Sequence, residues 1–335
     1  MMKKHFWTLL ALACAAALAG CSCRDFFSGL RGGPRFDEVG GVQLVYEVKP
    51  VEGQAGRRDR LVVDVMETLR RRLDESGEKW SELYHEGDTI TVLVPGVSGE
   101  RLARIKRILG QTARLEFTMV DDPGSTHFKE LAEQVPGGSG IELKDERVPG
   151  GKGKGDVTSF YLEAKSSGGK SGRAVLEDFL AGRKTPDGRA VCYGSRPDTD
   201  AMGSPLAAKV WRTWFLHAEA GLTGEYVEDV SVAEDPGMGQ LYVALSFNAK
   251  GASIFEKLTE SHVRKRMAIV LDCDVNSAPV IMEKISGGKA RITLGAFKGA
   301  HALKQEAEEL VAVLRAGALP APIVLKREQM IGPAP

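Results

Sequence analysis

The sequence predicts an α+β fold. Apolar residues recur at helical spacing over 59–76, 99–109, 249–261 and 299–316. Short β-rich runs lie between these stripes and come in hairpin-like pairs separated by turn residues. The strands do not alternate one by one with helices, as they would in a parallel sheet. Lys+Arg and Asp+Glu balance at 45 each over 335 residues, which argues against a nucleic-acid binder with a basic excess. Hydrophobic residues at 43% exclude disorder over the whole chain.

The first twenty residues read as an address. Lys3, Lys4 and His5 form a basic start, and Phe6 to Leu18 carries no charge. That stretch is shorter than the roughly 20 residues a bilayer-spanning helix needs, and it fits the apolar region of a secretory signal. Leu18-Ala19-Gly20-Cys21 follows, with small residues before a thiol, and resembles the lipobox of bacterial lipoproteins. Cys21 is therefore expected to carry lipid, with 1–20 as signal and 21–35 as tether. No later stretch is long and apolar enough to cross a membrane, so a lipid-anchored body on the periplasmic side is expected, at the inner or outer membrane. Cys192 and Cys273 are a candidate disulfide in that oxidising compartment.

Val42 to Val48 alternates as a strand. Residues 59–76 place Val62, Met66, Leu69 and Leu73 on one helical face, and Gly77 is a stop signal. Trp80–Tyr84 and Thr89–Val94 form a hairpin about His85-Glu86-Gly87-Asp88. Gly99 to Leu109 buries Leu102, Ile105 and Ile108, and Ala113 to Val120 is a further strand. The order β-α-β-β-α-β is the ferredoxin-like pattern, expected to form a base over 36–121 plus 318–330. Residues 122–208 read as a loop-rich Gly/Lys insertion holding one strand (158–164) and one short helix (174–181). Strands follow at 209–217, 226–233 and 240–247, with Trp211 and Trp214 on opposite sides of the first. Asn248 caps a helix over 249–261. Met267–Leu271 and Ser277–Met282 form a hairpin. Leu303, Ala307, Leu310, Val311 and Leu314 share a stripe on the last helix, Gly317 ends it, and Ile323–Arg327 is the final strand.

Chemistry is sparse. Ala164 to Ser171 matches a relaxed phosphate-loop pattern, and Asp272 ends an apolar strand, so a nucleotide-binding enzyme is a remote alternative. The linker-like composition and the antiparallel setting weigh against it. Asp121-Asp122, Glu308-Glu309 and Asp272/Asp274 read as turn or solvated-face residues, not acid–base pairs. No G-x-S-x-G elbow occurs, and the scattered His residues have no ligand spacing. No catalytic residue, metal or cofactor is expected. The run His262-Val263-Arg264-Lys265-Arg266 reads as cations complementing a helix C-terminus.

Residues 246–322 carry a resemblance. Ser246-Phe247-Asn248-Ala249-Lys250-Gly251-Ala252, Met267–Asp272, Ser277-Ala278-Pro279-Val280-Ile281, Ile285–Ile292 and Val313–Pro322 follow one another as they do in the first periplasmic domain of SecD, a membrane component of the bacterial Sec protein-translocation machinery. Leu222-Thr223-Gly224, Gly40-Gly41-Val42-Gln43-Leu44 and Val94-Pro95-Gly96-Val97 resemble that family's motifs too. The resemblance implies a head over 209–317, inserted before the last base strand, and contact with exported or unfolded polypeptide. Phe247 and Ile281 mark the expected contact region, and Sec translocon subunits are expected partners. The family continues into five membrane helices where this chain stops, so no proton-driven motor is expected of this chain alone. Cys273 stands where the family has a turn Gly, which implies strain there or a partner for the thiol. The expected function is a non-catalytic export accessory. The alternative is an envelope-assembly lipoprotein that reuses the fold without Sec partners.

Overall fold

The computed structural model describes residues 35–50, 58–166, 168–199, 205–237, 239–294 and 300–333. Strand β1 (Gly41–Val48) is followed by helix α1 (Arg58–Glu75), the hairpin β2 (Glu82–Glu86) and β3 (Thr89–Pro95), helix α2 (Gly99–Gly110) and strand β4 (Leu115–Met119). Leu61, Val62, Val65, Leu69 and Leu73 of α1 and Leu102, Ile105 and Leu109 of α2 seal one face of the sheet. Val42, Leu44 and Tyr46 point into that core, and the alternate residues of β1 do not.

The base differs from expectation in one strand. Its sheet has the order β15-β1-β3-β2, all antiparallel, with β15 (Ile323–Ile331) in the fourth place. The strand expected over 113–120 to complete the base leaves it. As β4 it pairs antiparallel with β12 (Met267–Leu271) in another sheet. The architecture is ferredoxin-like, but some two hundred residues intervene before its last strand arrives.

Those residues begin with helix α3 (His127–Ala132), strands β5 (Ile141–Pro149) and β6 (Asp156–Lys165), helix α4 (Gly172–Leu180) and strands β7 (Arg189–Thr199) and β8 (Pro205–His217). This corrects the loop-rich reading of 122–208. The glycines at 150–155 make the β5–β6 hairpin turn, and the segment has a core of Phe128, Leu131, Leu162, Leu176, Phe179 and Phe215. Trp211 packs into that core, and Trp214 packs on the other face of β8.

The head follows: β9 (Leu222–Thr223), β10 (Val227–Glu234), β11 (Leu241–Phe247), helix α5 (Ala249–Ser261), β12, β13 (Asp274–Ser277), β14 (Lys289–Thr293) and helix α6 (Ala300–Ala316). The Asn248 side chain accepts from Gly251 N at 2.9 Å and caps α5. The hairpin partner of β12 is shorter than expected and lies at 274–277. The chain over 279–281 makes only an isolated bridge, Val280 to Arg266, with flanking backbone bonds to Arg264, Lys265 and Met267. Phe117, Phe247 and Phe255 meet edge-on or tilted, with centroids 5.2–5.9 Å apart, at the centre of the head.

The last helix is apolar on two sides. Ala307, Leu310 and Val311 enter the head core, while Val313 meets Ile108 and Ala113. Packed against α1 and α2 on one side and β10 and β11 on the other, α6 joins base to head.

Candidate functional site

Base, insertion and head meet at one place, and buried polar groups hold it. The chain leaves the base through 110–114 and returns through 317–322. Arg72, in α1, lies between these two crossings with no exposed surface. Its Nη1 donates to the carbonyls of Ile108 (3.0 Å), Leu109 (3.2 Å) and Gln111, and its Nη2 to those of Thr112 (3.4 Å) and Gly317 (3.1 Å). Carbonyls at helix ends lack intrahelical donors, so one guanidinium closes the C-terminal ends of α2 and α6 together. Burial pulls its pKa down to about 10.

The β12–β13 turn hooks the outgoing crossing. Asp272 accepts from Ala113 N (3.0 Å), Arg114 N (2.9 Å) and the Thr112 hydroxyl. Asp272 and Cys273 both have positive φ, 53° and 60°, in a turn where Gly would relieve strain. Cys273 is disulfide-bonded to Cys192 of β7, with the Cα atoms 4.9 Å apart. The bond crosses the narrowest part of the eight-stranded sheet β5-β6-β8-β7-β13-β12-β4-β9, where β13 and β7 share only the parallel pair Asp274 and Tyr193.

A second seam lies beside it. Arg266 is buried and donates to Asp122, to Glu146 Oε1 (2.6 Å) and to Ser159 Oγ (3.0 Å). Arg212 shares Glu146 at 2.7 Å and stacks on Tyr161 and Trp214. Arg266 is thus a structural ion pair between head and insertion, not a solvated helix-end cation. Removing one member of such a pair leaves the other charge buried, at a cost of about 3–5 kcal/mol. The acidic pairs are engaged as well: Asp121 by Arg189 (2.6 Å), Glu309 by Arg107 (2.9 Å) and Arg104 (3.5 Å).

Beside the Asp272 turn opens a cleft of 610 Å³. Arg107 from α2 and Gln111 just after it, Arg173 from α4, Asp272, Asp274 and Asn276 from the hairpin, and Gln305 and Glu309 from α6 line it. Burial raises the Asp274 pKa, opposed by Arg173 and Lys209. Its walls carry amides and charges of both signs.

The sequence-predicted residues fall as follows. Phe247 (6% exposed) and Ile281 (3%) are inside the head core, so a contact region there cannot be made by their own side chains; the exposed apolar neighbour is Met282, at 78%. Cys21 and the segment 1–20 lie outside the described residues. The phosphate-loop pattern sits between β6, which is antiparallel to both its neighbours, and α4. Its Lys170 pairs with Asp178 at 2.5 Å, and its Ser171 caps α4 through Ala174 N. Asp272 is committed to the crossing. Among the described residues no three His, Cys, Asp or Glu gather as metal ligands, and no helix is long and apolar enough to cross a membrane. Arg72 and Arg266 escape sequence reasoning, since neither stands out from the exposed arginines beside it.

Two family models match: "Protein translocase subunit SecDF, P1 domain, N-terminal" over 62–122 and "SecDF, P1 head subdomain" over 204–321, together more than half of the chain. Protein translocase subunit SecD of Syntrophobacter fumaroxidans is 33% identical over 80% of this chain and 39% of its own length. SecD of Anaeromyxobacter dehalogenans is 30% identical over 82% of this chain and 46% of its own length. The chain thus spans less than half of these relatives. A crystal structure of SecDF in a super-membrane-facing form matches 90% of this chain and 32% of that chain, at TM-score 0.55 and 24% identity. A structure of a membrane component SecDF that enhances protein export matches 85% of this chain and 98% of that chain, at TM-score 0.52 and 23% identity. At these identities the two structures show the fold.

Proposed function

Because this chain belongs to the SecD family, with the P1 base and head, we propose that it is a non-catalytic accessory of protein export that holds unfolded or emerging polypeptide on the periplasmic side of the envelope. The observation that carries the reading is the mixed-charge cleft of 610 Å³ at the joint of base, insertion and head. Its amide and charged groups offer hydrogen bonds to any backbone and little selectivity for side chains, as a holder of many sequences requires. Sec translocon subunits are the proposed partners. Met282, exposed beside the head core, is the proposed apolar contact in place of Phe247 and Ile281.

In-cell photocrosslinking from Gln305, at the cleft, and from Met282 tests this. Secretory chains or Sec subunits are the expected captures. Capture of envelope-assembly or outer-membrane proteins alone overturns the export reading in favour of a borrowed fold.

The second part of the proposal is the anchor: Cys21 carries the lipid. Metabolic labelling with an alkyne palmitate should mark the wild type and leave Cys21→Ser unlabelled in the soluble fraction. Equal labelling of both overturns Cys21 as the lipid site, no labelling of the wild type overturns the anchor, and either leaves the polypeptide reading in place.

A further inference from the structure

The insertion contains a second cavity, apart from the cleft. It measures 350 Å³ and lies among α3, the C-terminal end of α4 and β7. Both family models leave residues 123–203 unmatched, so the family reading does not account for it. Leu131, Leu180, Ala181, Val191 and the Tyr193 ring form its walls, and His127, beside the Phe215 ring at 5.6 Å, closes one side. Arg183 and Lys184 stand at the rim. Arg183 is fixed there: its guanidinium lies 3.9 Å from the Phe179 ring centroid and donates to the Phe179 carbonyl. The acidic residue at the cavity, Glu177, is paired with Arg173 at 2.8 Å. Among the described residues Arg183 and Lys184 have no ion-pair partner, so the rim keeps a positive surplus over a pocket whose inner wall is apolar and whose mouth, with Thr185, is polar.

We infer that this cavity receives a large apolar side chain of an extended polypeptide whose neighbouring residue is acidic, the carboxylate meeting Lys184 and Arg183. Three features fix that occupant. The volume is at the small end for ligand pockets, roughly 300–1,000 Å³, and suits one side chain better than a cofactor. The apolar walls supply burial energy in proportion to the area covered. The unneutralised rim selects a carboxylate over an ammonium. The inference rests on the polypeptide-holding reading and adds a sequence preference to it.

Fluorescence anisotropy of labelled short Gly/Ser peptides carrying a single Phe-Glu, Phe-Lys or Ala-Glu pair tests it on the full chain. Ala181→Trp fills the cavity from an exposed position, and Lys184→Glu reverses the rim. The Phe-Glu peptide is expected to bind about fivefold tighter than the other two at low salt, a margin that Ala181→Trp abolishes and Lys184→Glu inverts toward Phe-Lys. Equal binding of all three peptides, unchanged in both variants, overturns the pocket and leaves polypeptide holding intact. No binding of any peptide overturns both. Free 3-phenylpropionate is the remaining arm: if it occupies the wild-type cavity and the peptides do not compete, the site takes a small aromatic acid and the polypeptide occupant is overturned.

Discussion

Arg72→Met is expected to destabilise the protein by about 5 kcal/mol, measured by urea denaturation, with a fall in Tm of about 10 °C. The substitution keeps the bulk of the side chain and removes every donor. The carbonyls of Ile108, Leu109, Gln111, Thr112 and Gly317 then lose their shared partner at a buried site. Each buried acceptor left unpaired costs about 1–3 kcal/mol, and partial entry of water recovers some of the total. Arg72→Lys is expected to fall between, because an ammonium donates three bonds from one point and cannot span two helix ends. Base and head should then unfold in separate transitions, since both crossings have lost their common clamp. A loss under about 1 kcal/mol would mean that water replaces the guanidinium and that the clamp adds nothing.

The second large effect is the loss of the disulfide. The double variant Cys192→Ser/Cys273→Ser is expected to lose about 4 kcal/mol without reductant and to match the wild type when both are reduced. The bond closes a loop of sequence separation 81, and a loop of that size restricts the unfolded chain by about that amount. Cys192→Ser/Cys273→Gly should recover about 1 kcal/mol of the loss, because position 273 has φ 60° and Gly adopts it without penalty. Equal stability of wild type and double variant without reductant would show that the ion pairs of Arg266 already hold the seam alone.

Helices were legible wherever one face is apolar and the other polar, as in α1, α2 and α5. In α6 only one of its two buried faces was read. Small residues dominate the second face, where Ala312 and Ala316 flank Val313, and alanine signals burial weakly. The insertion was misread because β5 is an edge strand with charges at most positions, so period-two alternation never develops along it. The base strand assignment failed for a non-local reason. Leu115, Phe117 and Met119 would suit either sheet, and no local property of 113–120 says which strand it will meet. The candidate site was least legible of all. It is built from arginines, and an arginine that becomes buried by capping two distant helix ends has the same neighbours in sequence as one left in water.

The place of β15 in the base sheet sets an order of events. Gly41 pairs with Ile331 and Val48 with Ile323, so the first and last strands of the described chain are sheet neighbours. A chain emerging from its N-terminus has β1, β2, β3 and both base helices long before the strand that covers the other side of β1. Loop closure over such a distance is slow, and it is faster once the intervening part has already folded and brought its ends together. The insertion and head therefore act as the folding template for the base: α6 delivers the returning chain to the position that β1 leaves open. Until then one edge of β1 is unpaired, a hazard for pairing with other chains. If the chain holds unfolded polypeptide as proposed, it must itself first pass through a stage in which it resembles its own substrate.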